Sequence, residues 1–339
     1  MSEPIRVLHV LNTGSYSGAE NVVITIINNL KSCKNIQCTY LSLNGNIKER
    51  LEKENIDYYP VEKLSIKNLK KAIKILNPDI IHAHDYTATI ISSLCFSKAK
   101  IISHIHNNSP WIKKKGIYYY VFLFSCLRCK KVLTVSDSIE KEYVFSKYIK
   151  NKINCIGNPI DISKISELAN AYNVDENYDM IFLGRLTEQK NPFLLIEIIE
   201  NLAIKIPDIK IAIVGEGDKF LEIKEITENK SLTKNVKMYG FVENPYPILK
   251  KSKILCLPSK WEGYGLVAVE ALSLGIPVVC SGVGGLKNII NNQCGEICTD
   301  KDDYVQKIIE LLDNDQIYTI KSNNAKKRAE EFGNIDKYI

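Results

Sequence analysis

Short apolar runs alternate with longer stretches whose apolar positions recur every three or four residues, and the alternation continues along the whole 339-residue chain. The runs at 5–11, 36–43, 79–82, 100–104, 132–136 and 152–156 predict one set of strands. A second set is predicted at 180–183, 209–214, 236–239, 253–257 and 276–281. Helical periodicity marks 21–30, 47–54, 66–76, 266–272, 300–312 and 316–332, with further helices opening near residues 139 and 193. Nearly continuous apolar strands separated by helices imply parallel sheets buried on both faces. The expected class is therefore α/β, with doubly wound, Rossmann-like domains, and a chain of this length has room for two. Turn-rich sequence around 157–161 and 177–179 places the join between them. The expected domains are 1–165 and 166–315, followed by a last helical segment over 316–339.

No apolar run reaches bilayer length; the longest, 117–127, is short and rich in tyrosine. The chain enters a strand almost at once, so the expectation is no signal peptide and a cytoplasmic location. The 10 cysteines are then expected to be free thiols. The pairs Cys126/Cys129 and Cys294/Cys298 lack the flanking pattern of a zinc site and read as packing. The net charge of +6 is unevenly shared. Residues 1–165 hold 24 Lys and Arg against 13 Asp and Glu, whereas the rest is acidic. A basic first half points to an anionic partner: a membrane surface, a phosphorylated acceptor or nucleic acid.

Candidate chemistry gathers at the predicted strand ends, where parallel sheets bind ligands. Glu262 and Glu270 flank a loop and helix start containing Gly263, Gly265 and Leu266. Loop amides and a helix N-terminus make an anion site, and two carboxylates can accept hydrogen bonds from sugar and ribose hydroxyls. Arg185 and Lys190 bracket the turn after strand 180–183, and two fixed cations suit a diphosphate. Gly215 closes the next strand, and Gly18 lies in the loop after the first. Neither spacing is a full dinucleotide fingerprint, which disfavours a dehydrogenase. His82 and His84, with Asp85, end one strand; His104 and His106, with Asn107, end another. Two such H-x-H pairs could hold a metal or could be structural histidines, the more natural reading for His9.

The run from Glu262 to Ala271, Glu-Gly-Tyr-Gly-Leu-Val-Ala-Val-Glu-Ala, resembles the E-x7-E signature of the retaining, nucleotide-sugar-dependent glycosyltransferases of family 4 (glycosyl transferases group 1). Gly184 to Asn191 resembles that family's G-R-L-x-x-x-K-[GN] loop, Gly215 to Asp218 its glycine turn, and Gly18-Ala-Glu20 its first-domain loop. The histidine edges and the 157–161 hinge resemble it more loosely, with Pro159 where glycine is usual. Lys287 and Asn288 stand where Pro and Glu are common. The resemblance implies a GT-B fold: two Rossmann-like domains facing a central cleft, and a C-terminal helix crossing back to the first. It implies a UDP- or GDP-sugar donor held mainly by the second domain. Arg185 and Lys190 would hold the diphosphate, Glu270 the ribose and Glu262 the transferred sugar, with Gly18, Gly215, Gly263, Gly265 and Leu266 lining the donor. His106 would join Arg185, Lys190 and Glu262 in catalysis, and His82, Asp85, His104 and Asn107 would lie toward the acceptor. Positive side chains do the work of a metal in that family, so neither metal nor other cofactor is expected.

Trp111 and Lys113, Lys114 and Lys115 precede the aromatic run 118–124. Cations beside aromatic rings suit a membrane interface; the same rings could equally fill a core helix. With the basic first half, this gives the expected acceptor: a lipid-linked glycan at the inner face of the plasma membrane, in capsule, exopolysaccharide or O-antigen assembly. The enzyme would be peripheral on that anionic surface. A sugar-nucleotide epimerase and a non-catalytic binding subunit are the rival readings. Nucleic acid is disfavoured because the aromatics are clustered.

Overall fold

The computed structural model describes residues 3–114, 116–333 and 338. Among these, strands β1 (Ile5–Val10), β2 (Ile36–Leu43), β3 (Tyr58–Val61), β4 (Ile80–Ala83), β5 (Lys100–Ile105), β6 (Lys131–Thr134) and β7 (Ile153–Cys155) form one sheet in the order 3-2-1-4-5-6-7. Every neighbouring pair is parallel. Strands β8 (Tyr178–Leu183), β9 (Ile211–Val214), β10 (Val236–Gly240), β11 (Ser252–Leu257), β12 (Val278–Ser281) and β13 (Gly295–Cys298) form a second parallel sheet, ordered 10-9-8-11-12-13. Each sheet is doubly wound, as the apolar pattern predicts. In each, the strand order reverses beside the first strand, where such sheets place their ligands.

The second sheet shows why its strands read as unbroken apolar runs. Met180, Phe182, Ile211, Ile213, Ile254 and Cys256 fill the core on one face. Their neighbours Ile181, Leu183, Ala212, Val214, Leu255 and Leu257 fill the core on the other. In the first sheet Leu8, Val10, Leu41, Ile81 and Ala83 make one apolar layer. The alternate positions at the centre of that sheet, His9, His82 and His104, are imidazoles.

The two units part between Pro159 and Ile160, slightly before the expected join at 165. The cause is packing: Ile160 and Ile165 are buried in the same core as Ile181 and Leu257. Asp161 caps the helix Ile162–Leu168 that carries Ile165, its Oδ1 accepting from Lys164 N at 2.9 Å. The helix Asp315–Glu330 buries Ala325 and Ala329 in that core too, so over this length it belongs to the second unit. Residues 334–337 and 339, where a return to the first unit was expected, lie outside the described residues. No helix among the described residues is long and apolar enough to cross a membrane.

Candidate active site

The polar site of the second unit forms where β8 and β11 diverge. Gly184 and Arg185 leave β8, and a short turn, Glu188–Lys190, returns Lys190 toward the sheet edge. The loop after β11 carries Glu262. Lys190 Nζ meets Glu262 Oε1 at 2.5 Å, with side chains only 14% and 7% exposed. Ser259 Oγ donates to the same oxygen at 2.9 Å. Gln189 Nε2 donates to the carbonyl of Trp261 at 3.1 Å, and Lys260 N to the carbonyl of Gln189 at 2.8 Å. These bonds stitch the two loops together. The Lys190–Glu262 pair is thus preformed and largely removed from water. Arg185 is exposed and forms no ion pair among the described residues.

Helix Leu266–Ser273 follows directly. Gly265, at φ +99, is its N-cap and supplies no capping side chain, which leaves first-turn amides available to an anion. Leu266 is the first helical residue and Gly263 precedes the cap. Glu270 lies a little over one turn in, buried. Burial pushes its carboxyl up to about 7, against the opposing pull of a Tyr246 hydrogen bond and the Lys190 charge. Lys190 therefore acts on both glutamates. Gly215 follows β9, its amide donating to Gly240 O at 2.7 Å. Lys287 and Asn288 are exposed on the short helix Leu286–Ile289, and the Asn288 carbonyl accepts from Arg328.

Glu270 gives a pH signature. A ligand whose hydroxyls bond to the carboxylate favours the ionised form, so if the nucleotide-sugar donor implied by the sequence resemblance binds here, its affinity should rise about tenfold as pH climbs through about 7. Titration calorimetry should show this in the parent protein and a flat profile in Glu270→Gln. The folded carboxyl titrates above its unfolded value. Its contribution to stability is therefore full below the ordinary carboxylate range and is lost as pH rises to about 7.

In the first unit Gly18 opens helix Gly18–Leu30, with Ser17 as N-cap and Ser17 Oγ donating to Glu20. Asp85 caps helix Tyr86–Leu94: Oδ1 accepts from Ala88 N at 2.7 Å, and Oδ2 from Asn12 N at 2.8 Å. It thus ties the loops after β1 and β4 at the point where the strand order reverses. Both oxygens serve backbone amides, so Asp85 has a structural task that sequence reading did not anticipate. His82, His104 and His106 come together with His84 and His9 on one face of β1, β4 and β5. The Asn107 carbonyl accepts from Tyr86 Oη at 2.6 Å.

The aromatic segment is divided between core and surface. Helix Ile117–Arg128 buries Tyr119, Phe122, Ser125 and Cys126 and exposes Ile117, Tyr118, Tyr120, Phe124 and Leu127. Trp111 packs inward against Tyr86 and Phe122, with ring centroids 4.7 and 6.0 Å apart. Lys113 is paired with Glu142 at 3.2 Å, Lys114 is exposed, and Lys115 lies outside the described residues. Sequence reading missed Ser259, Gln189 and Tyr246. Ser259, three residues before Glu262 in the same loop, was the one with a local signal.

Comparison with known proteins bears on the family and the fold. Residues 16–164 match the model for Glycosyltransferase Family 4, and residues 165–331 match that for Glycosyl transferases group 1. An uncharacterized glycosyltransferase of Methanocaldococcus jannaschii is 30% identical over 63% of this chain and 59% of its own length. The UDP-Gal:alpha-D-GlcNAc-diphosphoundecaprenol alpha-1,3-galactosyltransferase of Escherichia coli is 26% identical over 81% of this chain and 76% of its own. In fold, Anabaena HepE, solved in complex with UDP-glucose, superposes with a TM-score of 0.86 at 19% identity, covering 98% of this chain and 97% of that one. The two family matches together run from residue 16 to residue 331, and the chain belongs to the family-4, group-1 glycosyltransferases of the GT-B fold class.

Proposed function

We propose that the chain transfers a sugar from a UDP- or GDP-sugar, with retention of anomeric configuration, to a lipid-linked glycan in bacterial surface-polysaccharide assembly. The observation that carries this reading is the buried Lys190–Glu262 pair beside an uncapped helix N-terminus, with Glu270 buried one turn on. An anionic diphosphate suits the helix amides, Lys190 and Arg185; the carboxylates suit hydroxyls. The charge that develops on the departing diphosphate would be held by those cations and amides, so no metal or other cofactor is required. No covalent nucleophile is assigned. His106, at the carboxyl edge of β5, is taken to assist the transfer.

The lipid-linked acceptor and a peripheral place on the inner membrane face have two supports. One is the relative whose name specifies a diphosphoundecaprenol-linked acceptor. The other is the exposed apolar side of helix Ile117–Arg128, where Tyr118 is 75% exposed. Tyr120 continues through Phe145 to Tyr148, with ring centroids 5.2 and 5.6 Å apart. Lys147 lies over the Tyr148 ring, and Arg128 over Phe96. Exposed rings with cations at their margin suit an anionic bilayer surface.

Incubating a panel of labelled nucleotide sugars with a lipid-linked acceptor in anionic vesicles tests both parts. One donor should give a lipid-linked product of unchanged anomeric configuration, and chelators should leave the rate intact. Isomerised donor without acceptor would mean an epimerase; binding without turnover would mean a non-catalytic subunit. The double variant Tyr118→Ser/Phe124→Ser should lose most vesicle co-sedimentation yet transfer normally to detergent-dispersed acceptor. Unchanged co-sedimentation overturns the membrane assignment.

A further inference from the structure

All 5 histidines of the chain lie on one face of three adjacent strands in the first sheet. His9 comes from β1, His82 from β4 and His84 just beyond it, and His104 from β5 with His106 just beyond. The equivalent central positions of the second sheet, Met180, Phe182, Ile254, Cys256 and Val279, are all apolar or weakly polar core residues. A hydrophobic layer would have served packing, so the imidazoles call for another reason.

Two contacts supply it. His9 Nδ1 lies 3.0 Å from His84 Nε2, and His84 Nδ1 lies 3.1 Å from His106 Nε2. Burial depresses the basicity of all three rings, His9 to about 3 and His106 to about 4, so each is neutral near pH 7. A neutral imidazole carries one N–H, and each contact needs one hydrogen. If His84 bears its hydrogen on Nδ1, it donates to His106 Nε2, which forces the His106 hydrogen onto Nδ1. His84 Nε2 must then accept from His9 Nδ1. If the hydrogen sits on Nε2, all three switch together. The chain therefore has two concerted states and no mixed one. The ends decide between them. His9 Nε2 is buried without a hydrogen-bond partner, and a bare lone pair there costs less than a stranded N–H. At the other end His106 Nδ1 and Asn158 Oδ1 are both buried and form no hydrogen bond at the distances seen, but the Asn158 side chain lies close enough to raise the basicity of His106, so a hydrogen there has an acceptor in reach, which His9 Nε2 lacks.

We propose that His84 and His9 are positioning residues that lock His106 as its Nδ1–H tautomer, with that hydrogen on the Asn158 side and Nε2 taken up by His84, so that the ring is held in one orientation and does not act as a base. The functional half of this rests on the reading of His106 as a residue of the transfer reaction. His82 and His104 flank the chain in tilted ring contacts, with centroids 4.0 Å from His84 and His106. A transition metal is the competing use of the same rings. The triplets His9/His82/His84 and His84/His104/His106 have nitrogens within 4.8 Å of one another. A metal would compete for the lone pairs already engaged in the 3.0 and 3.1 Å contacts between the rings, so ion and hydrogen-bonded chain exclude each other.

Long-range 15N–1H correlation spectra of the histidine-labelled full chain read the tautomers directly. His9, His84 and His106 should all show Nδ1–H. In His84→Phe, which keeps a ring and removes both hydrogen bonds, His106 should become a tautomer mixture. There kcat should fall about tenfold with the donor KM unchanged. Unlike tautomers in the parent protein overturn the lock without any variant. So does stoichiometric metal in the purified protein, or a shift of these signals on adding zinc. Lost transfer in His106→Ala supports the reading of His106. Full activity there overturns that reading and the functional half, while the parent spectra still decide the lock.

Discussion

Replacing Lys190 with alanine should cut sugar transfer roughly a hundredfold or more and destabilise the second unit by about 3 kcal/mol. Both losses have one origin. Glu262 is 5% exposed and shares its charge with Lys190, Ser259 and Gln189. Removing the ammonium leaves a buried carboxylate with only neutral donors. That costs more than the intact pair contributes, because the pair's attraction was already spent against desolvation. On the proposed reading activity falls for another reason: the departing diphosphate loses its fixed cation. The double variant Lys190→Ala/Glu262→Gln separates the two effects. With the stranded charge gone, urea unfolding should recover most of the stability, while transfer stays low. If the double variant regains transfer as well, Lys190 serves only to neutralise Glu262, and the assignment of a diphosphate partner fails.

The parts of this site legible in the sequence are those held within one loop and helix. Glu262, Gly265 and Glu270 keep fixed spacing whatever the rest of the chain does. Gln189 reaches Glu262 only because β8 and β11 are neighbours, and strand order is not written locally; Tyr246 reaches Glu270 from the helix before β11, across the core. His9 was legible as a buried histidine for the same reason and no more, since β1 and β4 had to pair before it could meet His84. Among the strands, β3 and β13 were missed. Both are sheet edges; β3 contains Pro60, and β13 opens on Gly295 and carries Glu296. Edge strands need less apolar sequence and tolerate proline, so their pattern is weak. The helix Tyr86–Leu94 escaped because threonine, serine and isoleucine are indifferent helix formers. It is fixed instead by the Asp85 cap and by Thr89 Oγ1 donating to the Asp85 carbonyl at 2.8 Å. In helix Ile117–Arg128 aromatic residues occur on both faces, and composition alone could not say which side packs.

Gly284→Ala should damage the enzyme as severely as the loss of Lys190, although no ligand need touch this residue. Its backbone is left-handed, φ +53, and a β-carbon there would stand 1.7 Å from the carbonyl oxygen of Glu262 and 2.6 Å from its carbonyl carbon. Those are backbone atoms, so no side chain can rotate away. Left-handed alanine costs about 1–2 kcal/mol by itself. Separating the two loops adds more, for a total on the order of 3 kcal/mol or above. The displacement falls on Glu262, whose carboxylate is aimed by that same backbone. A shift of about 1 Å in a positioning group costs roughly a hundredfold in rate. Gly116→Ala is the matched control. Nothing lies within 4 Å of its β-carbon position, and at φ −165 its backbone is extended. As a helix N-cap it should lose no more than about 1 kcal/mol. Unfolding curves and transfer rates of the two variants side by side decide the matter. If Gly284→Ala keeps parent-like stability and rate, the loop after β12 does not fix Glu262, and the site is held by its hydrogen bonds to Lys190, Ser259 and Gln189.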